Sequence, residues 1–253
     1  MYRAFNLKDS DWSKLPRESG AVRYDQNIDL VKKSLESFLA RGILDGTKLK
    51  EHWFPPIKAD IFISHSHNDE ESAIRFAGWL EKYFGLTSFI DSCVWGHADA
   101  LQRTIDDQYC LNSDRESYAY SKRNQSTSHV HMMLAAALCE MLDATECVFF
   151  LNTTNSISSA VEAISKTKSP WLFYELGAIR TLRRQRPNRQ IVLLENMSGH
   201  LKKAAASLEL EYCVPLSSLS TITPPQLTSW RTNNSSRGPE SLDFLYDTHP
   251  ENV

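Results

Sequence analysis

Ile61-Phe62-Ile63, bracketed by Asp60 and Ser64, is the stretch on which the fold turns. Its apolar residues do not alternate with polar ones, so a strand built from them is buried on both faces. Similar runs recur at residues 87–90, 147–151, 191–194 and 212–216, and helical periodicity fills the gaps at 70–83, 128–142, 170–184 and 201–208. Strands and helices in strict alternation predict an α/β fold, a flavodoxin-like doubly wound parallel five-stranded sheet covered by helices on both faces.

Residues 59–220 carry this pattern. The 1–58 segment reads as a helical accessory brace, with a polar start, an amphipathic helix over 27–40 and Trp53-Phe54-Pro55-Pro56 closing it. After the second strand the 92–127 stretch is long for a strand-to-helix connection, and it is expected to hold a short helix around 99–109. The 221–253 tail contains Pro224-Pro225 and Gly238-Pro239 yet keeps Trp230, Phe244 and Tyr246, which predicts a loosely ordered strap docked by its aromatics.

Composition narrows the function classes. The chain has 253 residues, 42% hydrophobic and 23% charged, and its 28 basic and 31 acidic residues leave a net charge of −3. That balance offers no broad attraction to phosphate backbones or anionic lipid, so neither a nucleic acid nor a membrane is expected as partner. The five cysteines form no CxxC pair, which fits free thiols in a reducing, cytoplasmic compartment.

Several chemistries lack their residues. No GxG pair occurs among the nine glycines, so neither a dinucleotide fingerprint nor a phosphate-cradling P-loop is present. HExxH and the GxSxG elbow are absent too. His65-Ser66-His67-Asn68-Asp69 follows an apolar strand and spaces two histidines as zinc ligands in extended chain would be spaced, but Glu70 stands where a metallo-β-lactamase motif has its next histidine. The same residues also read as ordinary polar groups at a strand mouth, and no metal is expected. His129 and His131 point apart on a helix and make a poor ligand pair. Arg180, Arg183, Arg184, Arg186 and Arg189 suit a solvent-facing helix C-terminus better than a phosphate site.

The informative segment is Ser169-Pro170-Trp171-Leu172-Phe173-Tyr174-Glu175-Leu176-Gly177-Ala178-Ile179-Arg180. Ser169 is a good N-cap and Pro170 suits the first helical position. Glu175 then sits inside a nearly apolar helix, and its neighbours Trp171, Leu172, Ala178 and Ile179 cannot pair with a carboxylate. It must reach a cation elsewhere in the fold or face a cavity where a ligand meets it. Trp171 shares its face and offers either a ring wall to a planar ligand or a core aromatic.

Asp60-Ile61-Phe62-Ile63-Ser64-His65-Ser66 resembles the first box of Toll/interleukin-1 receptor (TIR) domains, and Ser169 through Leu176 resembles their S-x-W-C-x-x-E-L helix, with Pro170 between Ser and Trp and Leu172 where Cys is usual. The resemblance spans roughly residues 59–216, with a longer segment where the family has its BB loop, and is strongest to bacterial members of the Thoeris antiphage-defence type. It implies that Glu175 is the catalytic residue of an enzyme that cleaves the nicotinamide–ribose bond of NAD⁺. The products would be nicotinamide with ADP-ribose or a cyclic ADP-ribose isomer. NAD⁺ is then substrate, with no cofactor. The resemblance also implies self-association through TIR domains and a downstream effector that reads the nucleotide product.

Ligands of doubly wound sheets bind beyond the carboxyl ends of the strands. By that rule Ser64, His65 and Ser66, together with Asp91, Ser92 and Trp95 after the second strand, are expected to line the cleft with Trp171 and Glu175. Two rival readings stand beside this one: a non-catalytic TIR adaptor in which Glu175 is a structural anion, and a zinc hydrolase.

Overall fold

The computed structural model describes residues 1–8, 35–40, 43–95, 98–161, 164–187 and 211–250. Its strands are β1 (Arg3–Lys8), β2 (Leu39–Ala40), β3 (Ile43–Leu44), β4 (Ile61–Ser64), β5 (Ser88–Phe89), β6 (Cys147–Asn152), β7 (Ser159–Val161), β8 (Ile164–Thr167), β9 (Tyr212–Val214) and β10 (Ser220–Ile222). The α-helices are α1 (Gly46–Trp53), α2 (Glu70–Phe84), α3 (Asp91–Trp95), α4 (Ala98–Ile105), α5 (Tyr120–Ala144), α6 (Pro170–Thr181), α7 (Pro224–Asn233) and α8 (Asp243–Thr248). The chain divides into two compact units, one formed by residues 1–21, 58–90 and 142–253, the other by 22–57 and 91–141.

The first unit contains a five-stranded parallel sheet in the order β10-β1-β6-β4-β5, with helices, an α/β arrangement compatible with a flavodoxin-like fold. Ile61, Phe62 and Ile63 are fully buried, as an unbroken apolar run demands. Asp60 anchors the start of this pair of strands, its carboxylate accepting from the backbone N–H (2.8 Å) and hydroxyl (2.7 Å) of Thr87. Gly85 closes α2 at φ 69°, the left-handed conformation that favours glycine, and donates its N–H to the Glu81 carbonyl at 2.8 Å.

Three expectations are corrected here. The N-terminus is not wholly an accessory brace: Arg3–Lys8 is a strand paired with β6 from Arg3↔Cys147 to Lys8↔Asn152 and with β10 through Phe5↔Ser220. It lies between β6 and β10 in the sheet; the expected strand at 191–194 lies outside the described residues, as do 201–208 and most of the 27–40 helix. Arg3, 4% exposed, is tolerated there because its guanidinium donates to Ser220 Oγ (3.2 Å) and to the His249 carbonyl and lies over the Tyr246 ring.

Second, residues 212–216 are not a strand of the parallel sheet. Tyr212–Val214 is β9 of a separate three-stranded antiparallel sheet, β7-β8-β9, and only Val214 of its three residues is buried. The fifth parallel strand comes from the more polar Ser220–Ile222.

Third, the tail is helical rather than a loosely ordered strap, although it docks by Trp230 and Tyr246 as expected. Pro224 and Pro225 open α7 inside a Thr223/Gln226 capping box, where a missing N–H costs nothing. Trp230 is fully buried, stacked on Phe84 at 3.8 Å between ring centroids, and its indole N–H donates to the Ser241 carbonyl at 2.8 Å. Trp79 meets it edge-on at 5.8 Å, so the tail contributes the centre of the aromatic core.

In the second unit α1 is capped by Asp45, which accepts from the Lys48 N–H, and Lys50 pairs with Glu140 of α5 at 2.5 Å. The 92–127 stretch is largely helical: α3, then α4 running into a single π-turn, Asp106–Cys110, then the first turns of α5. Asp106, 2% exposed, accepts from Ser126 (2.5 Å), Gln102 (2.9 Å) and Arg123 (3.1 Å). Burial pushes its carboxyl up, but hydrogen bonds from Ser126, Gln102, Cys110 and Arg123 outweigh that and hold it below the ordinary value. Among the described residues no helix is long and apolar enough to cross a membrane.

Candidate functional site

α2 and β5 follow β4 on one side, and β6 returns on the other, so the carboxyl ends of β4 and β6 flank the point where the strand order reverses. In open α/β sheets this is where ligands bind. Ser64 ends β4 opposite Phe150 of β6.

α6 delivers Glu175 to that end of the sheet. The Ser169 hydroxyl accepts from the Leu172 N–H at 3.3 Å, Pro170 takes the first turn, and Leu172, Leu176 and Ile179 are buried. Phe173, on the opposite side, is 43% exposed and stacks on Tyr212 of β9 at 4.5 Å. Glu175 itself is only 2% exposed. Its Oε2 accepts a hydrogen bond from Ser64 Oγ at 2.5 Å, linking the first strand to the middle of α6 across 111 residues of sequence. The charge thus has a partner that helix-neighbour reasoning could not supply. Ser64 is fully buried. A hydroxyl so placed orients and stabilises a carboxylate, and a short hydrogen bond to an ionised acceptor is among the stronger ones.

His65 is 7% exposed and its Nδ1 lies 3.2 Å from the Ile63 carbonyl, which can only accept, so a neutral ring carries its proton on Nδ1. Ser66 is buried, and its carbonyl accepts from the Asp69 N–H at 2.7 Å. Trp171 is half-buried one turn before Glu175. The structure therefore joins Ser64 directly to Glu175 and keeps His65 and Ser66 adjacent in the chain. Asp91, Ser92 and Trp95 belong to the second unit, in α3. There Trp95 is 3% exposed with its ring edge-on to Phe54 at 5.9 Å, the arrangement of a core aromatic.

Asp69 was read from the sequence only as part of a ligand-like run. Its carboxylate accepts from Thr153 Oγ1 (2.6 Å) and Asn155 Nδ2 (2.7 Å), so it is committed to the loop after β6. Among the described residues no group of three histidine, cysteine or acidic side chains is placed to hold a metal ion. His129 and His131 are exposed on α5, and Arg180, Arg183, Arg184 and Arg186 are exposed, Arg184 donating to the Ser218 carbonyl at 3.1 Å; Arg189 lies outside the described residues.

The polar loop Thr153-Thr154-Asn155-Ser156, which leaves β6 at this end of the sheet, is not among the expected site residues. Its signal was there: four turn-forming polar residues directly after an apolar strand, at the end of the sheet where ligands sit. Searches of protein-family models, of curated proteins and of solved structures find no match to this chain.

Proposed function

We propose that the chain is a TIR-type enzyme that cleaves the nicotinamide–ribose bond of NAD⁺, with Glu175 as the catalytic carboxylate. The observation that carries this reading is the buried Glu175 carboxylate, bonded to Ser64 at the carboxyl end of β4 beside the reversal of strand order. It adds to the resemblance of the two sequence boxes, which meet in that one hydrogen bond.

The chemistry needs a single carboxylate. Nicotinamide leaves as a neutral base from a cationic pyridinium, so no general acid is required, unlike glycosidases that must protonate a departing alkoxide. An anionic Glu175 stabilises the oxocarbenium-like ribose as the bond breaks. Water at the anomeric carbon gives ADP-ribose; attack by an adenine nitrogen gives a cyclic isomer, and exclusion of water favours the second. In this reading the protein acts in the cytosol as a signal-producing subunit of antiphage defence. It self-associates through the TIR domain, and an effector reads the nucleotide it releases.

The test is chromatographic separation of products after incubation with NAD⁺, with and without phage-infected lysate. Glu175→Gln is expected to abolish nicotinamide release while the protein stays folded. Equal product from wild type and Glu175→Gln would remove the assignment.

The 2% exposure of Glu175 favours one rival, a TIR adaptor in which this carboxylate is a structural anion. That reading expects no nicotinamide release from any preparation, and a large loss of stability on substitution.

A further inference from the structure

Asp69 occupies the N-cap position of α2, and an aspartate there ordinarily accepts from the helix's own first N–H groups. It does not: at φ −106°, ψ 10° its side chain makes no capping bond. Both carboxylate oxygens are turned instead to the loop after β6, Oδ2 to the Thr153 hydroxyl at 2.6 Å and Oδ1 to the Asn155 side-chain amide at 2.7 Å. At 6% exposure this charge is taken out of water and met there by two neutral donors.

The loop is itself folded around the atom that Asp69 holds. Thr153 Oγ1 accepts the N–H groups of Asn155 (3.1 Å) and Ser156 (3.2 Å). Ser156 Oγ donates to the Leu151 carbonyl at 2.9 Å and accepts the Thr153 N–H at 2.9 Å. The Asp69 N–H, bonded to the Ser66 carbonyl at 2.7 Å, ties the same residue to the strand mouth that carries Ser64 and His65. One carboxylate thus joins the loops leaving β4 and β6, the two strands on either side of the order reversal.

We infer that Asp69 is a positioning residue: it clips the Thr153-Thr154-Asn155-Ser156 loop to the β4 mouth and so presets one wall of the ligand cleft, at the expense of capping its own helix. The functional half of this inference rests on the NAD⁺ reading above. Asp69 neither touches substrate nor moves a proton; it sets where the loop stands before substrate arrives.

The bonding pattern permits a reciprocal exchange. In Asp69→Asn the new amide N–H faces the Asn155 amide, two donors opposed. In Asn155→Asp two carboxylates oppose. In the double variant Asn at 69 accepts from Thr153 and donates to Asp at 155, which restores both bonds with the polarity of one reversed. Two readouts are taken on the full chain: hydrogen exchange of the Asn155 and Ser156 amides, and steady-state nicotinamide release. Each single variant is expected to lose roughly tenfold or more of amide protection and to raise KM for NAD⁺ about tenfold, with kcat changed less than about threefold. The double variant should recover both. If Asp69→Asn fails to fold, Asn155→Ala, on an exposed residue, removes one of the bonds and should give the same KM effect. Unchanged exchange in the single variants, or a double variant no better than either, overturns the clip. If wild type itself releases no nicotinamide, the NAD⁺ reading falls, and the exchange pattern still decides whether Asp69 holds the loop.

Discussion

Removal of the Ser64 hydroxyl is the most direct probe of the Glu175 site. Ser64→Ala deletes one oxygen from a fully buried position and leaves the Glu175 carboxylate, 2% exposed, without the donor that meets its Oε2 at 2.5 Å. Hydrogen bonds to charged groups contribute about 1.5–3 kcal/mol, and water cannot readily replace one at this depth. The expected loss is about 2 kcal/mol. For a chain of this size that lowers Tm by about 4–8 °C. The assay is thermal and urea unfolding of four proteins: wild type, Ser64→Ala, Glu175→Gln and the double variant. Their cycle should return a coupling of about 1.5 kcal/mol or more between the two positions. The same proteins incubated with NAD⁺ should show kcat falling about tenfold in Ser64→Ala as the carboxylate loses its orientation. A Ser64→Ala protein that melts within about 1 °C of wild type, with no coupling in the cycle, would refute the hydrogen bond as an energetic link.

Other outcomes are equally specific. Because the folded Asp106 carboxyl lies below its ordinary value of 3.8, its contribution to stability is present above that pH and is lost as pH falls through the lower folded value. Urea midpoints of wild type and Asp106→Asn should therefore differ at neutral pH and converge as the pH falls through the lowered folded value. Trp230→Ala empties the stack on Phe84 and strands the Ser241 carbonyl, so it should cost about 3–5 kcal/mol by denaturant titration. Burial pushes the Cys147 thiol well above the usual range, whereas Cys213 is exposed. Brief alkylation of native protein followed by mass spectrometry should label Cys213 and leave Cys147 untouched until the chain is unfolded.

How much of this was legible depended on where each side chain's partners lie. β4 and β6 were readable because strands buried on both faces are apolar without alternation, and α6 because Ser169 and Pro170 announce its start within the helix itself. β1 was not, since Arg3, Asn6 and Lys8 give it a polar look and the groups that satisfy Arg3 lie at positions 220 and 249. β9 misled in the opposite sense: Tyr212-Cys213-Val214 is apolar in sequence, but on a small antiparallel sheet Cys213 faces out. The first turns of α5, Tyr120-Ser121-Lys122-Arg123-Asn124-Gln125-Ser126, look like loop because serine and asparagine compete with the helix backbone. Ser126 is recruited to Asp106 instead, and a contact between residues 20 positions apart is invisible to local reasoning.

The same limit applied at the site. Glu175 stands out in the sequence because the side chains at its i±3 and i±4 positions carry no cation, yet its bond to Ser64 could be found only by folding the chain. The Asp69 bonds to Thr153 and Asn155 span more than 80 residues and were masked by the histidines beside that aspartate.

The placement of β1 has a consequence for biosynthesis. Both neighbours of Arg3–Lys8 in the sheet, residues 147–152 and 220–222, are translated long after it. At roughly 5–20 residues per second this strand waits on the order of ten seconds for a partner, its apolar side chains exposed meanwhile. The nascent chain should therefore need shielding at Arg3–Lys8, and ribosome-stalled intermediates that end before Cys147 should be captured by a holdase more readily than those that extend well past it.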